Sequence, residues 1–241
     1  MTGLLWHSLF DVLAWIAAAL AAVWAASRIG APVVEPVPAE RRFAYLLALF
    51  TGAAAGAYGF GSLNLWISGA PAVARSIEGG LAGAIVGVEC YKRVVGLTRR
   101  TGARYALPLA VGVAIGRIGC FLSGLDDFTH GTPTDLPLGY DFGDGVPRHA
   151  VQLYESATMA LFAGYYVARL RRNDRWIAAN GFYLAILYYA AQRFFWEFLK
   201  PYGAVLGPFT LFHFLSMMLA VYAIVMLISA PGSKDEHAIC A

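Results

Sequence analysis

Apolar residues run along this chain in long unbroken blocks, without the alternation of a half-buried strand or the narrow stripe of a soluble helix. A helix needs about 20 apolar residues to cross hydrocarbon. Seven blocks qualify: 4–27, 43–67, 76–96, 105–123, 149–170, 177–199 and 208–230. The pattern predicts an all-α integral membrane protein of seven transmembrane helices, forming a single domain over 1–241. Gly52 and Gly56 on the second block, and Gly79, Gly83 and Gly87 on the third, make small-xxx-small faces where helices can approach closely. Segment 124–148 differs from the rest. It is long, rich in Gly, Pro and Asp, and lacks a regular pattern, as a functional lid or a plain solvated connector would.

Composition agrees with the pattern. Of 241 residues, 59% are hydrophobic and 14% charged, against nearly half and a quarter for a soluble domain. A net charge of +3 with no basic, aromatic-interleaved patch argues against a nucleic-acid partner. Cys90, Cys120 and Cys240 have no metal-ligand spacing, and two of them sit in apolar blocks, so neither a disulfide framework nor a metal is expected. Met1-Thr2-Gly3 supplies no basic leader before the first block, which therefore reads as a retained helix.

Loop charge orients the bundle. Loops one, three and five carry twelve Lys and Arg; loops two, four and six carry three, namely Arg75, Arg148 and Lys200. The positive-inside rule then places the N-terminus outside, the C-terminus in the cytoplasm and 124–148 outside. Arg117 lies roughly 20 Å up its outward-running helix at about 1.5 Å per residue. Arg193 reaches similar height, with Glu197 one turn on. Glu78, Arg148, His149, Gln152, Glu155 and His213 begin inward-running helices at comparable depth, and Asp11 is near them. Arginine keeps its charge in hydrocarbon at high cost, so two of them in one layer argue for a site that needs fixed positive charge. A proton-coupled transporter would place its charges near the midplane between repeated halves. No repeat is visible, and an outer-half cluster suits outer-leaflet headgroups.

Four runs carry the chemistry: Gly116-Arg117-Ile118-Gly119-Cys120-Phe121, Arg148-His149-Ala150-Val151-Gln152-Leu153-Tyr154-Glu155, Arg193-Phe194-Phe195-Trp196-Glu197-Phe198 and Thr210-Leu211-Phe212-His213-Phe214-Leu215-Ser216. Helical spacing puts Arg148, Gln152 and Glu155 on one face and pairs Arg193 with Glu197. Together the runs resemble the prolipoprotein diacylglyceryl transferase family, whose motifs G-R-[IL]-G-N-F, R-H-P-x-Q-L-Y-E, R-F-x-x-E-F and T-x-G-Q-x-L-S occur in this order. The resemblance covers residues 76–220. It implies a multi-pass enzyme of the bacterial inner membrane that takes diacylglyceryl from phosphatidylglycerol and places it on the lipobox cysteine of a secreted prolipoprotein. It also implies that Arg117 and Arg193 are essential and that Glu197 belongs to their site. Fixed guanidinium charge in a dry site suits an expelled phosphate, which needs no strong acid. No cofactor is implied.

Departures from the motifs cluster on the acceptor side. The family's S-F-H-G-G-L reads Ser76-Ile77-Glu78-Gly79-Gly80-Leu81, and its asparagine after G-R-I-G is Cys120. In its N-G-E-L-W-G-R-P, the glutamate is Leu125 and the arginine Thr132; the glutamine of the last motif is His213. Glu78 is either a general base in place of the histidine or an ion-pair partner of Arg117 or Arg193. Arg148 is a headgroup ligand or a snorkelling anchor. Gln152, Tyr154 and Glu155 form lipid contacts or an interhelical network. His149 and His213 bind substrate or only pack. Asp126, Asp127 and His130 read as a carboxylate-rich turn without a metal, and Cys120 as a small hydrophobe. Asp11 and Glu89 have no assigned role. The acceptor is therefore a lipoprotein cysteine or a small molecule. The alternatives to diacylglyceryl transfer are headgroup transfer to a non-protein acceptor and non-catalytic lipid binding or transport.

Overall fold

The computed structural model describes residues 2–29 and 37–229, with the side chains of Thr2, Leu4 and Asp127 outside the description. Cys240 and the segment after Ser229 lie outside the described residues, as does most of the first loop. Among the described residues, seven long helices carry the fold: α1 (Thr2–Ile29), α2 (Arg42–Ile67), α3 (Ile77–Val94), α4 (Ala106–Leu122), α5 (Val151–Arg171), α6 (Arg175–Glu197) and α7 (Leu211–Ile228). Their positions follow the seven apolar blocks. Four segments, Leu5–Ile29, Ala39–Ile67, Ala103–Asp126 and Leu211–Ile228, are long and apolar enough by themselves to cross a membrane. The other helices carry more charge; Glu78, Lys92, Glu155, Arg193 and Glu197 are buried in the bundle, while Arg93, Arg171 and Arg175 at the helix ends are exposed.

Local chemistry sets the helix ends. Ser76 starts α3 by accepting the Gly79 amide at 3.1 Å, and Asp174 starts α6 by accepting that of Ile177 at 3.0 Å. Such caps satisfy amides that have no partner inside the helix. Thr210 and His213 form a reciprocal box at the start of α7. Gly69, Gly96 and Gly207 take the positive φ of the turns after α2, after α3 and between two short strands.

Two corrections concern the connectors. Segment 124–148 is not patternless: a 3-10 turn over Gly124–Asp127 precedes an antiparallel hairpin of β1 (Gly139–Asp141) and β2 (Pro147–His149). Arg148 and His149 therefore belong to a strand, and α5 begins only at Val151. The helical face expected to join Arg148 to Gln152 and Glu155 does not form. Pro147 lies in β2, and residues before and at a proline favour extended backbone. A second hairpin, β3 (Ala204–Leu206) with β4 (Phe209–Thr210), delays α7 to Leu211.

α1 packs on α4, α4 on α5, α5 on α6 and α6 on α7, while α2 packs on α3 and α3 reaches α7. The core lies along α4, α5 and α6, with buried Ala106, Ala110, Phe162, Tyr166, Ala185 and Tyr189. Outward faces of α1 and α2 expose Leu20, Phe43 and Trp66, as lipid-facing helices do. The α2–α3 seam is made of the small residues marked in the sequence. A Cβ on Gly56 would strike the carbonyl oxygen of Gly79, and one on Gly83 that of Gly52. Overpacking a seam costs about 1–3 kcal/mol. Gly83→Val should lower the thermal midpoint in detergent by roughly 5 °C, read by tryptophan fluorescence, while Gly59→Ala, with open space beside it, should not.

Candidate functional site

The polar residues of α3, α5, α6 and α7 converge where α6 ends and α7 begins. Glu155, on the first turns of α5, is the hub. Its Oε1 accepts from Arg193 Nη1 at 2.9 Å and lies 2.9 Å from Lys200 Nζ; its Oε2 contacts Arg117 Nε. Arg193 is held by three carboxylates: Nε donates to Glu78 Oε2 at 3.1 Å and Nη1 to Glu155, while Nη2 lies 2.8 Å from Glu197 Oε2. Hydroxyls complete the shell, Ser216 donating to Glu78 Oε1 at 2.6 Å and Thr210 to Glu197 Oε1 at 2.7 Å. The Phe212 ring lies beneath the Arg193 guanidinium, 5.2 Å from Cζ.

Burial decides how this network must be read. Glu78, Glu155, Glu197, Arg117, Arg193 and Lys200 are all buried. An isolated charge there would cost several kcal/mol, and only close pairing with hydrogen bonds offsets that. Three carboxylates face three cations, so the cluster is close to neutral as a unit. Lys200 is the member the sequence did not reveal. It sits just past α6 in a segment read as loop, and the chain turns there with the Lys200 amide donating to the Glu197 carbonyl at 3.1 Å.

A cavity of about 1060 Å³ opens against this cluster and extends between α1/α4 and α2/α3. Its wall includes Arg117 and Arg193 but, among the described residues, neither Glu78, Glu155, Glu197 nor Lys200. The two arginines thus line the cavity, and the carboxylates that hold them do not. Its middle is apolar, lined by Ala53, Ala57, Leu81, Leu109 and Val113, and Glu89 and Tyr222 line its far end. Tyr222 Oη donates to Glu89 Oε1 at 3.2 Å, and Lys92 Nζ lies 3.0 Å from the same oxygen.

The other sequence candidates make no direct contact with the arginines among the contacts described. Arg148 does not reach the arginine cluster; it donates to Asp144 Oδ1 at 2.7 Å across the turn of the β1–β2 hairpin. His149 makes backbone bonds with Gly131 and Thr132, and its ring meets Tyr154 edge-on at 6.3 Å. Tyr154 packs on Trp196 at 5.3 Å. His213 uses Nδ1 for the box with Thr210, and its ring lies 4.2 Å from that of Phe198 and 4.9 Å from that of Phe194. Gln152 is fully buried on α5. Asp126 lines the cavity, and half-burial together with Arg148 pushes the His130 pKa below its ordinary value. Among the described residues, no three His, Cys, Asp or Glu converge as metal ligands.

Two outcomes follow. Glu155→Gln leaves three cations short of one counter-charge and should cost about 3–5 kcal/mol in detergent unfolding, far more than Tyr154→Phe. The hydrogen bond from Arg148 holds the Asp144 carboxyl below its ordinary range. A depressed carboxyl contributes stability above its unfolded pKa of about 3.9 and loses it as pH falls through the folded value. Protease protection of 139–149 should therefore hold from pH 8 to 5 and fall below about pH 4, and Asp144→Asn should abolish that dependence.

Comparison with known proteins bears on the whole chain. A family model described as prolipoprotein diacylglyceryl transferase matches residues 3–229. A phosphatidylglycerol–prolipoprotein diacylglyceryl transferase of Geobacter sulfurreducens is 29% identical over 95% of this chain and 92% of its own length. Proteins of the same name from Nitrosomonas europaea and Bordetella parapertussis are 32% and 34% identical over 62% and 59% of this chain, and the matches span about half of each relative. No solved structure matches. With the paired arginines on a cavity between apolar helices and a match running almost end to end, this chain belongs to the prolipoprotein diacylglyceryl transferase family.

Proposed function

We propose that this protein is a phosphatidylglycerol-dependent diacylglyceryl transferase of the bacterial inner membrane. Its seven helices cross the bilayer with the N-terminus outside and the C-terminus in the cytoplasm, and the arginine end of the cavity faces out. The loop charge asymmetry supports this orientation. One observation carries the substrate reading: Arg117 and Arg193 line a long, largely apolar cavity, while the carboxylates that hold them are not part of its wall. A phospholipid matches that surface, with its phosphate at the guanidiniums and its acyl chains along the apolar middle.

The chemistry follows from that placement. A nucleophile attacks the glyceryl carbon that carries the phosphate ester. The new bond forms as the carbon–oxygen bond to phosphate breaks; glycerol phosphate leaves with the electron pair, and the nucleophile's proton passes to the released phosphate or to water. Arg117 and Arg193 stabilise the charge gathering on the phosphate oxygens; held by their carboxylates, they do so without reorganisation. Glu197 and Glu155 hold the guanidiniums in place. Both oxygens of Glu78 are engaged, by Arg193 and Ser216, which supports the ion-pair role for Glu78 over the general-base role. The acceptor is a lipoprotein cysteine or another nucleophile. The changed acceptor-side residues, Glu78, Cys120, Leu125 and Thr132, support a second reading in which the same pocket serves a non-protein acceptor.

Mass spectrometry separates these readings. Purified protein with labelled phosphatidylglycerol and a lipobox peptide should release glycerol phosphate and yield a diacylated thioether. Diacylglycerol would indicate headgroup transfer, and intact lipid would sink both enzymatic readings. Arg117→Gln should slow release by roughly 10²–10³-fold. Glu78→Gln should lower the melting temperature and keep part of the activity. A loss of about 10²–10⁴-fold with unchanged stability would restore the base role.

A further inference from the structure

Relative to the family motifs, Glu78 stands where an imidazole is expected and Cys120 where a carboxamide is expected. The fold nevertheless sets an imidazole beside the new thiol, from a helix none of the motifs includes. His7 on α1 places Nε2 4.0 Å from Cys120 Sγ on α4. Its other nitrogen, Nδ1, lies 3.1 Å from Asp11 Oδ2, one turn along α1. Arg117 Nη1 is 3.9 Å from the same sulfur. All four side chains line the cavity. The contact depends on a close approach of helices: a Cβ on Gly119 would strike the Phe10 side chain, so glycine there lets α1 lie against α4.

Thiol, imidazole and carboxylate in this order form the constellation of nucleophile, general base and orienting group that serves acyl transfer on unrelated folds. At 4.0 Å, Nε2 lies at the outer limit of a sulfur hydrogen bond, close enough for the thiol proton to reach it with a small side-chain shift. We propose that Cys120, His7 and Asp11 form a second catalytic centre, which takes an acyl chain from a glycerophospholipid ester onto Cys120. The proposal rests on the reading that the cavity takes a phospholipid. Ester carbonyls lie only a few bonds from the phosphate of such a lipid, and Arg117 touches the sulfur while facing the same cavity.

The step balances as follows. The thiol proton passes to His7 Nε2, and Sγ bonds to the ester carbonyl carbon. The carbonyl oxygen becomes an oxyanion beside the Arg117 guanidinium. The carbon–oxygen bond to glycerol then breaks, and His7 returns the proton to the departing glycerol oxygen. The products are S-acyl Cys120 and a lysophospholipid. Water, or an alcohol or amine acceptor, attacks the thioester through the same histidine and restores the thiol. Proton handling distinguishes this chemistry from diacylglyceryl transfer. A phosphate leaves as a stable anion, whereas an alkoxide must be protonated, and His7 is placed to do that. Attack by Cys120 on the glyceryl carbon would give a thioether, which has no route back to a free thiol. Asp11 is a positioning residue that fixes the imidazole tautomer, and it also lies 3.7 Å from Arg75.

The test uses the full chain in nanodiscs of phosphatidylglycerol with alkyne-tagged acyl chains. Peptide mass spectrometry should find one acyl chain on Cys120, released by hydroxylamine, with one lysophosphatidylglycerol formed per adduct. Cys120→Ala should remove the adduct, and His7→Gln should slow its formation about a hundredfold. A native Cys120 without label, an adduct of diacylglyceryl mass that resists hydroxylamine, or equal labelling in His7→Gln would each overturn the proposal. Asp11→Asn should slow adduct formation on Cys120 through kcat with little change in KM for the labelled lipid; an unchanged kcat would remove Asp11 from the centre. Released glycerol phosphate, measured in the same samples, reports the transferase separately. Lysolipid without glycerol phosphate refutes the transferase and supports the thiol centre, the converse refutes only the thiol centre, and neither product refutes both.

Discussion

A single carboxylate, Glu155, holds three buried cations, and the rest of the site is arranged around that necessity. Arg117 on α4, Arg193 on α6 and Lys200 beyond α6 come from separate parts of the chain, and each would be intolerable alone in an apolar interior. Their shared partner on α5 ties the ends of three helices together. The remaining charge of Arg193 draws in Glu78 from α3 and Glu197 from its own helix, and these in turn recruit Ser216 and Thr210 beside α7. Five helices are thus registered to one another by charge, where apolar packing alone would let them slide.

The same balance explains how a cavity can present positive charge without a large net cost. The cluster carries three carboxylates and three cations, yet they are not mixed evenly. Arg117 and Arg193 belong to the cavity wall, and the three carboxylates do not. Carboxylates that hold the arginines in place keep their charge in a fixed position. The balance also occupies the carboxylates: each of the three is paired with at least one buried cation.

Much of this was legible in the sequence because it depended on period and charge. The seven apolar blocks gave the seven helices, and Gly52, Gly56, Gly79 and Gly83 marked the seam that the structure closes. Arg117, Arg193 and Glu197 were visible because charge inside an apolar block has few explanations. Contacts set by tertiary approach were not legible. Lys200 looked like a loop cation, since nothing local shows that the chain folds it inward. Arg148 and His149 read as the first turn of a helix because the motif is continuous in sequence, whereas Pro147 and the hairpin hold them in a strand. His7 and Asp11 had a local signal in their i, i+4 spacing. Their meaning depended on Cys120, more than a hundred residues away, and on the absence of a side chain at Gly119.

The glycine seam between α2 and α3 has a mechanical consequence. With backbone against backbone along Gly52–Gly56 and Gly79–Gly83–Gly87, the two helices have little side-chain play between them. They act as one stiff leaf, joined to the remaining bundle chiefly where α3 meets α7. Across the cavity stands a second stiff unit, α1 against α4. The cavity is therefore walled by two units that are each internally stiff. Glu78 bolts the first of them to α6 through Arg193 and to α7 through Ser216, so the spacing of the walls is set by one carboxylate.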